Sequence, residues 1–417
     1  MHIASGERAR APWRRAIVAT CVAALTLSTA LPLSAQRQGS KEAQPTPAGW
    51  VFTPGIAVAE TFDDNVLLAG EGDDSVTGDW VTAVTPRGAL SFRGRHTTFN
   101  ADYRGSYQLY QELSALNAFE QRGTVSAEHR LSPYVSLFFR NNLSKTPTTD
   151  DLDIPGVLFR RQGVLMDDLN AGAEVRFGPR SSLRASYVFQ WLRFDGHTEA
   201  QLNDPLRRGG HAHAGIAKYD YKLGPRVAVG AEFEGRRADV DTSREFDIQN
   251  LLGTVDLRLS PRFFLSGGAG YSWLGTDLPT ERRSAPAFRV SLNRAGERLG
   301  WSVGYRKSFL PSFGFGGTFQ NQEFEGSFIA PLTRRLDLTG GLSVRDSDPL
   351  TSDPLSSQLP GLRSVWIRSS VSYLATRWMR IEGFYATTLQ DSRRPGGQID
   401  RSRVGVQVVT STRLRVR

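Results

Sequence analysis

From about residue 50 onward the chain alternates apolar and polar positions with a period of two. Between Thr97 and Tyr110, Phe99, Ala101, Tyr103, Gly105, Tyr107 and Leu109 share one face, while Thr98, Asn100, Asp102, Arg104, Ser106 and Gln108 share the other. Successive side chains leave a β-strand on opposite sides, so this pattern predicts a strand with one apolar and one wet face. The same alternation runs through residues 227–236, 336–345 and 404–416. Only 211–223 fits poorly. There Ala212, Ala214 and Ile216 share one face and Tyr219, Tyr221 and Leu223 the other, which a bulge near Ala217 would reconcile.

Short connectors divide the chain at Gly94-Arg95, Ser132-Pro133, Gly178-Pro179, Gly224-Pro225, Ser260-Pro261, Ala295-Gly296, Thr333-Arg334 and Ala375-Thr376. Each interval between them holds two strands of about 10–14 residues and one longer loop. The longer connectors, rich in Asp, Gly, Ser, Pro and Gln, fall at 62–78, 111–118, 147–162, 195–207, 241–246, 276–284, 310–318, 346–361 and 390–401. Eight short and nine long connections give eighteen strands with both chain ends on the short-turn side; sixteen is the alternative count. Alternation of short turns and long loops, strands of this length and many charges on the polar faces favour a transmembrane, antiparallel, up-and-down β-barrel over a secreted β-sandwich or β-helix. In lipid only a closed sheet satisfies every backbone group of a β-structure.

The amino terminus adds an address. Arg8, Arg10, Arg14 and Arg15 precede an apolar run from Ala16 to Leu33, broken by Pro32, and the small-residue stretch Ser34-Ala35-Gln36. This predicts a secretory signal peptide over 1–36, a periplasmic tail over 37–49 and a barrel over 50–417. The one cysteine, Cys21, lies in the segment to be removed, which excludes disulfides and thiolate-bound metals from the mature chain.

Composition agrees with export into a membrane as a barrel. Hydrophobic residues make up 39% of the 417 and the mean hydropathy is −0.34, because a spanning strand needs apolar residues only at alternate positions. The formal charge of +9 falls by three once Glu7 and the four leader arginines are removed. The basic residues are spread along strands instead of clustered, which argues against nucleic acid and only weakly for an anion-tolerant interior.

One segment carries a family resemblance. Ala59-Glu60-Thr61-Phe62-Asp63-Asp64-Asn65-Val66-Leu67-Leu68, then Thr85-Pro86-Arg87-Gly88-Ala89-Leu90 and the strand ending Tyr107-Gln108-Leu109-Tyr110, resembles the β-barrel porin-2 family. Its proteins open with an acidic E-x-(Y/F)-D-D-N-V signature, here Glu60, Phe62, Asp63, Asp64, Asn65 and Val66. The resemblance covers residues 56–110. It implies an outer-membrane barrel of Gram-negative bacteria, some members being associated with exopolysaccharide or capsule systems, and brings no catalytic or ligand residues. Barrels of this kind commonly end on an aromatic residue; this chain ends in Arg417.

Charges on the wet faces are the candidate functional residues. Arg104, Asp102, Arg122, Glu128, Arg140, Glu174, Arg176, Arg184, Glu232, Glu234, Arg236, Arg258, Arg306, Glu325, Arg345 and Arg368 are expected to line the lumen. Such rings either set up a transverse field that screens solutes or pair across strands and neutralise each other. Asp63, Asp64 and Asn65, with Asp73 and Asp74, carry oxygen ligands suited to Ca²⁺, as do Asp150, Asp151 and Asp153, but such residues more often start turns. His211 and His213 share a face and read as a lumen-facing polar pair. No nucleophile elbow, metalloprotease helix or cofactor motif is present, so the expectation is a non-enzyme without cofactor or metal.

Two functions follow. The first is an outer-membrane channel for passive or weakly selective passage of small hydrophilic solutes. The second is a barrel serving exopolysaccharide or capsule export or surface assembly, with polysaccharide-export components as partners. Either way the surroundings are outer-membrane lipid and lipopolysaccharide, and the barrel assembly machinery inserts the chain. The 346–361 loop is the candidate to fold inward and constrict the pore.

Overall fold

The computed structural model describes residues 48–70, 76–152, 154–195, 209–240, 245–276, 282–314, 317–350, 361–392 and 397–416. The expected leader and most of the tail lie outside these residues. Eighteen long antiparallel strands follow in order. They are β1 (Gly49–Asp63), β2 (Asp79–Arg93), β3 (Thr97–Tyr110), β4 (Ala118–Arg130), β5 (Val135–Thr146), β6 (Val164–Arg176), β7 (Ser181–Phe194), β8 (Gly210–Lys222) and β9 (Val227–Asp239). The second half comprises β10 (Glu245–Arg258), β11 (Phe263–Thr276), β12 (Arg283–Arg294), β13 (Gly300–Pro311), β14 (Thr318–Pro331), β15 (Leu336–Pro349), β16 (Leu362–Leu374), β17 (Met379–Asp391) and β18 (Gln398–Ser411). A three-residue piece, β19 (Leu414–Val416), resumes β18 and pairs with the start of β1.

Each strand pairs with its neighbours in sequence, and β1 pairs with β2 on one side and with β18 and β19 on the other. The sheet therefore closes on itself and leaves no edge whose N–H and C=O groups lack partners. No helix among the described residues is long and apolar enough to cross a membrane.

Strand parity sorts the side chains into two environments. Trp50, Phe52, Ile56 and Val58 of β1, Leu137 and Phe139 of β5, Phe233 of β9, and Val404, Val406 and Val408 of β18 all stand exposed on the outer surface. A continuous outer face of this kind is costly in water and favourable in hydrocarbon. On β9 the apolar outward run extends from Val227 to Gly235, roughly 30 Å of strand and about 23 Å of membrane thickness at the usual tilt. Toward the long-loop end the outer face turns polar at Lys145, Asp167, His213, Arg237 and Asp247, as the pairing registers show.

β8 departs from expectation. Its pairing with β7 is regular from Ser181–Tyr221 to Leu192–Gly210, without a bulge at Ala217. Tyr219 and Tyr221 face outward, whereas Ala212 and Ala214 are buried inside. The apolar residues change side because the interior itself becomes apolar at this height.

The loop between β5 and β6 supplies that core. Its residues Leu152, Ile154 and Val157 pack with Leu192 and Phe194 of β7, Ala212 of β8, Phe246 and Ile248 of β10, Leu274 of β11 and Phe309 of β13. The 147–163 loop folds inward; the 346–361 loop, the candidate named from sequence, is described only at its ends. Residues 346–349 belong to β15, and 351–360 lie outside the described residues.

Candidate functional site

The inward loop is positioned by its own turns first. Thr149 donates from its hydroxyl to the carbonyls of Leu158 and Arg160 and accepts the amide of Arg160, closing the loop's base. Gly156 adopts φ +67°, where side chains are strained, and a Cβ there would meet Ser312 Oγ at 2.6 Å. Ser312 Oγ donates to the Gly156 carbonyl at 2.9 Å, so the loop crest is pinned beside the end of β13.

Opposite that crest the loop meets β16–β18 and β1. Arg401 of β18 donates from Nη1 to both oxygens of Asp150 at 2.8 Å, and from Nε and Nη2 to Asp63 of β1. The side chains of all three are at most 4% exposed. Arg403 donates to Asp151 at 2.8 Å and 3.2 Å. Burial opposes ionisation of Asp151, yet the charge and hydrogen bonds of Arg403, with Arg401 beyond, hold its carboxyl well below the usual carboxylate range. Trp366 donates its indole N–H to the Asp150 carbonyl at 3.2 Å, and Gln390 accepts the Phe159 amide while donating to the Val157 carbonyl. Phe159 packs edge-on against Trp366 with ring centroids 5.4 Å apart. Arg161 reaches a third side, donating to Val66 O, Tyr110 Oη and Leu116 O. The loop thus spans the interior from β7–β11 to β16–β18.

Below it lies a cavity of about 610 Å³. Asp102, Arg104, Arg122, Asn142 and Asp168 line one wall, Glu323, Glu325, Ser343 and Arg368 the opposite wall, and Asp150, Asp151, Leu152 and Trp366 the roof. Arg87, Arg104 and Arg122 are direct cross-strand neighbours on β2, β3 and β4, making a short ladder of guanidinium groups.

Strand parity places all sixteen sequence-derived charges on the inner face. Several pair locally: Arg176 with Glu174, which Arg184 approaches at 3.9 Å, and Arg236 with Glu234. Arg122 pairs with Glu120, and Arg345 with Glu323 beneath Trp366. Arg289 donates to both oxygens of Glu232 at 2.9 Å. Arg184 lies over the Phe138 ring and Arg258 over Phe264. Arg104, Arg140, Arg306 and Arg368 have no ion-pair partner among the described residues, so both the neutralising and the field-forming arrangements occur. Glu128 sits on β4 near its short-turn end, and Glu325 on β14 lines the cavity.

The acidic segment after β1 is a latch. Asp63 is held by Arg401, Asp64 accepts the Ser402 amide at 2.6 Å, and Asn65 donates to the carbonyls of Ala69 and Asp400 while accepting the Ala69 amide. Val66 is fully buried, Phe62 packs against Trp80 at 5.4 Å on the outer surface, and Glu60, also outward, accepts from Thr82. These oxygens tie β1 to β18, and no group of three or more His, Cys, Asp or Glu poised for a metal exists among the described residues. Asp73, Asp74 and Asp153 lie outside them. His211 and His213 face outward, not into the lumen: they pair with Trp191 and Phe189, and the Tyr187 hydroxyl meets His213 Nδ1. The regular register of β8 is what reverses them.

Sequence reading missed Arg401 and Arg403 as anchors and Arg87 as part of the ladder. Partners more than 250 residues apart leave no local signature.

No protein-family model and no curated protein matches this chain. Among solved structures it is similar to Pseudomonas aeruginosa OpdO, at 12% identity and TM-score 0.45, covering 88% of this chain and 98% of that one. Acinetobacter baumannii OccAB4 matches at 10% and 0.43, covering 88% and 99%. P. aeruginosa OpdK, solved with vanillate, also matches at 10% and 0.43, with the same coverage.

Proposed function

We propose that this protein is an outer-membrane channel for small hydrophilic solutes, narrowed by the 147–163 loop and mildly favouring anions. The reading rests chiefly on the cavity beneath the loop, whose opposing walls carry charged side chains while the outer surface of the same strands is apolar. Water and polar solutes suit the inside and hydrocarbon the outside. The arginine ladder, with Arg104 and Arg368 unpaired, raises the potential of the lumen and attracts anions more than cations. By the usual arrangement of bacterial barrels, the short turns and both chain ends face the periplasm and the long loops the exterior. Its surroundings are then lipid and lipopolysaccharide, and the barrel assembly machinery inserts it after the leader is cut.

Liposome swelling tests this directly. Vesicles carrying the refolded protein should swell in isosmotic solutions of small sugars and small carboxylates, faster for the carboxylates, and not in large oligosaccharides. Failure to swell in any small solute contradicts the channel. Swelling only with long polysaccharide chains would instead support the export role.

A further inference from the structure

Seven of the eight short turns carry an arginine, the exception being Leu131-Ser132-Pro133-Tyr134. Four are built alike: Phe177-Gly178-Pro179-Arg180, Leu223-Gly224-Pro225-Arg226, Leu259-Ser260-Pro261-Arg262 and Leu332-Thr333-Arg334-Arg335. Each opens with an apolar side chain 55–64% exposed and closes with an exposed arginine. Arg95, Arg298 and Arg377 occupy three further turns, and only Glu297 among the turn residues is acidic. No guanidinium group of these turn arginines has an ion-pair or hydrogen-bond partner among the described residues. The short-turn rim is therefore a ring of unneutralised guanidinium groups, each one to three residues from a bare Leu, Phe or Trp378 or beside the apolar band.

We propose that this rim binds the phosphate headgroups of anionic phospholipids in the adjoining leaflet. The apolar residue of each turn continues the apolar outer band downward and has no interior to bury in, so it belongs in hydrocarbon. Proline fixes three of the four turns, and the arginine three residues after the apolar side chain emerges at the edge of that band, at headgroup height, where a planar fork of donors matches a phosphate. Basic residues at a membrane surface attract anionic lipid over distances of a Debye length. A soluble acidic polymer would use the same arginines but gives the exposed Phe177, Leu223, Leu259 and Leu332 nothing to contact. The inference rests on the membrane reading above.

The test uses the full barrel refolded into phosphatidylcholine vesicles, first checked for strand content by circular dichroism. Electron paramagnetic resonance then compares the motionally restricted fraction of spin-labelled phosphatidylglycerol and phosphatidylcholine. The wild type should prefer phosphatidylglycerol by at least about threefold, less in high salt. The R180Q/R226Q/R262Q/R335Q variant should lose that preference, and K145Q/R193Q/R237Q at the opposite end of the outer wall should retain it. Equal association of both lipids with an inserted wild-type barrel overturns the proposal, as does a preference that the turn variant keeps. Binding of polygalacturonate through these arginines without lipid preference overturns it in favour of a soluble polyanion. A barrel that does not insert at all fails the membrane reading itself, which the dichroism and vesicle flotation report separately.

Discussion

Arg401 donates to both carboxylate oxygens of Asp150 at 2.8 Å, joining the last long strand to a loop 251 residues earlier in the chain. The same guanidinium holds Asp63 at the barrel seam. Barrel closure and constriction therefore share one buried cation.

Replacing it should be costly. The Arg401→Gln variant leaves buried Asp63 without its counter-charge and Asp150 with only Arg403 at 3.8 Å, an arrangement that destabilises by about 3–5 kcal/mol. The expected outcome is release of the 147–163 loop with the barrel intact. Limited proteolysis of refolded protein should show new cleavage within the loop and unchanged protection of the strands.

Acid should act late. Asp151 titrates below the ordinary carboxylate range because Arg403 and Arg401 face it despite its burial. A depressed folded value means the ionised carboxylate contributes its full stabilisation above the unfolded value, about 3.9, and loses it as pH falls from there through the folded value. Loop protection from protease, read with an acid-active enzyme, should be constant between pH 7 and 5 and decline only below about pH 4. Asp151→Asn should remove that acid-dependent decline.

The apolar anchor should matter comparably. Phe159→Ala removes the ring packed on Trp366 and leaves a cavity in a dry cluster with Leu68 and Ile399, at an expected cost of about 3–5 kcal/mol. Tryptophan emission should shift to the red as Trp366 gains water.

Selectivity should follow the unpaired arginines. Arg104→Gln with Arg368→Gln should move the zero-current potential in a salt gradient toward cation preference. Arg176→Gln, whose partner Glu174 already neutralises it, should move it less.

The barrel was legible because period two and turn chemistry are local. Phe99 to Leu109 alternate as written, and Ser260-Pro261 turns where proline permits. The eighteen strands, the inner placement of Arg104 and Glu232, and the outer placement of Tyr103 and Val406 follow from that alternation. His211 was misread because its strand carries alanines on the inner side, where a distant loop makes the lumen apolar. The inward course of one connector was not legible because composition alone does not separate 147–163 from the other long connectors. What singles out the former is the fit of Leu152 and Val157 against β7–β11 and of Asp150 to Arg401, all of it long-range.

The central claim is a water-filled lumen narrowed by a loop that Arg401 holds in place. Single-channel recording in planar bilayers tests it most directly, comparing the wild type with Arg401→Gln. The account predicts small, steady unit conductance for the wild type and larger, noisier conductance for the variant. Bilayers that stay at background with both correctly refolded proteins, or identical conductance from the two, would contradict it.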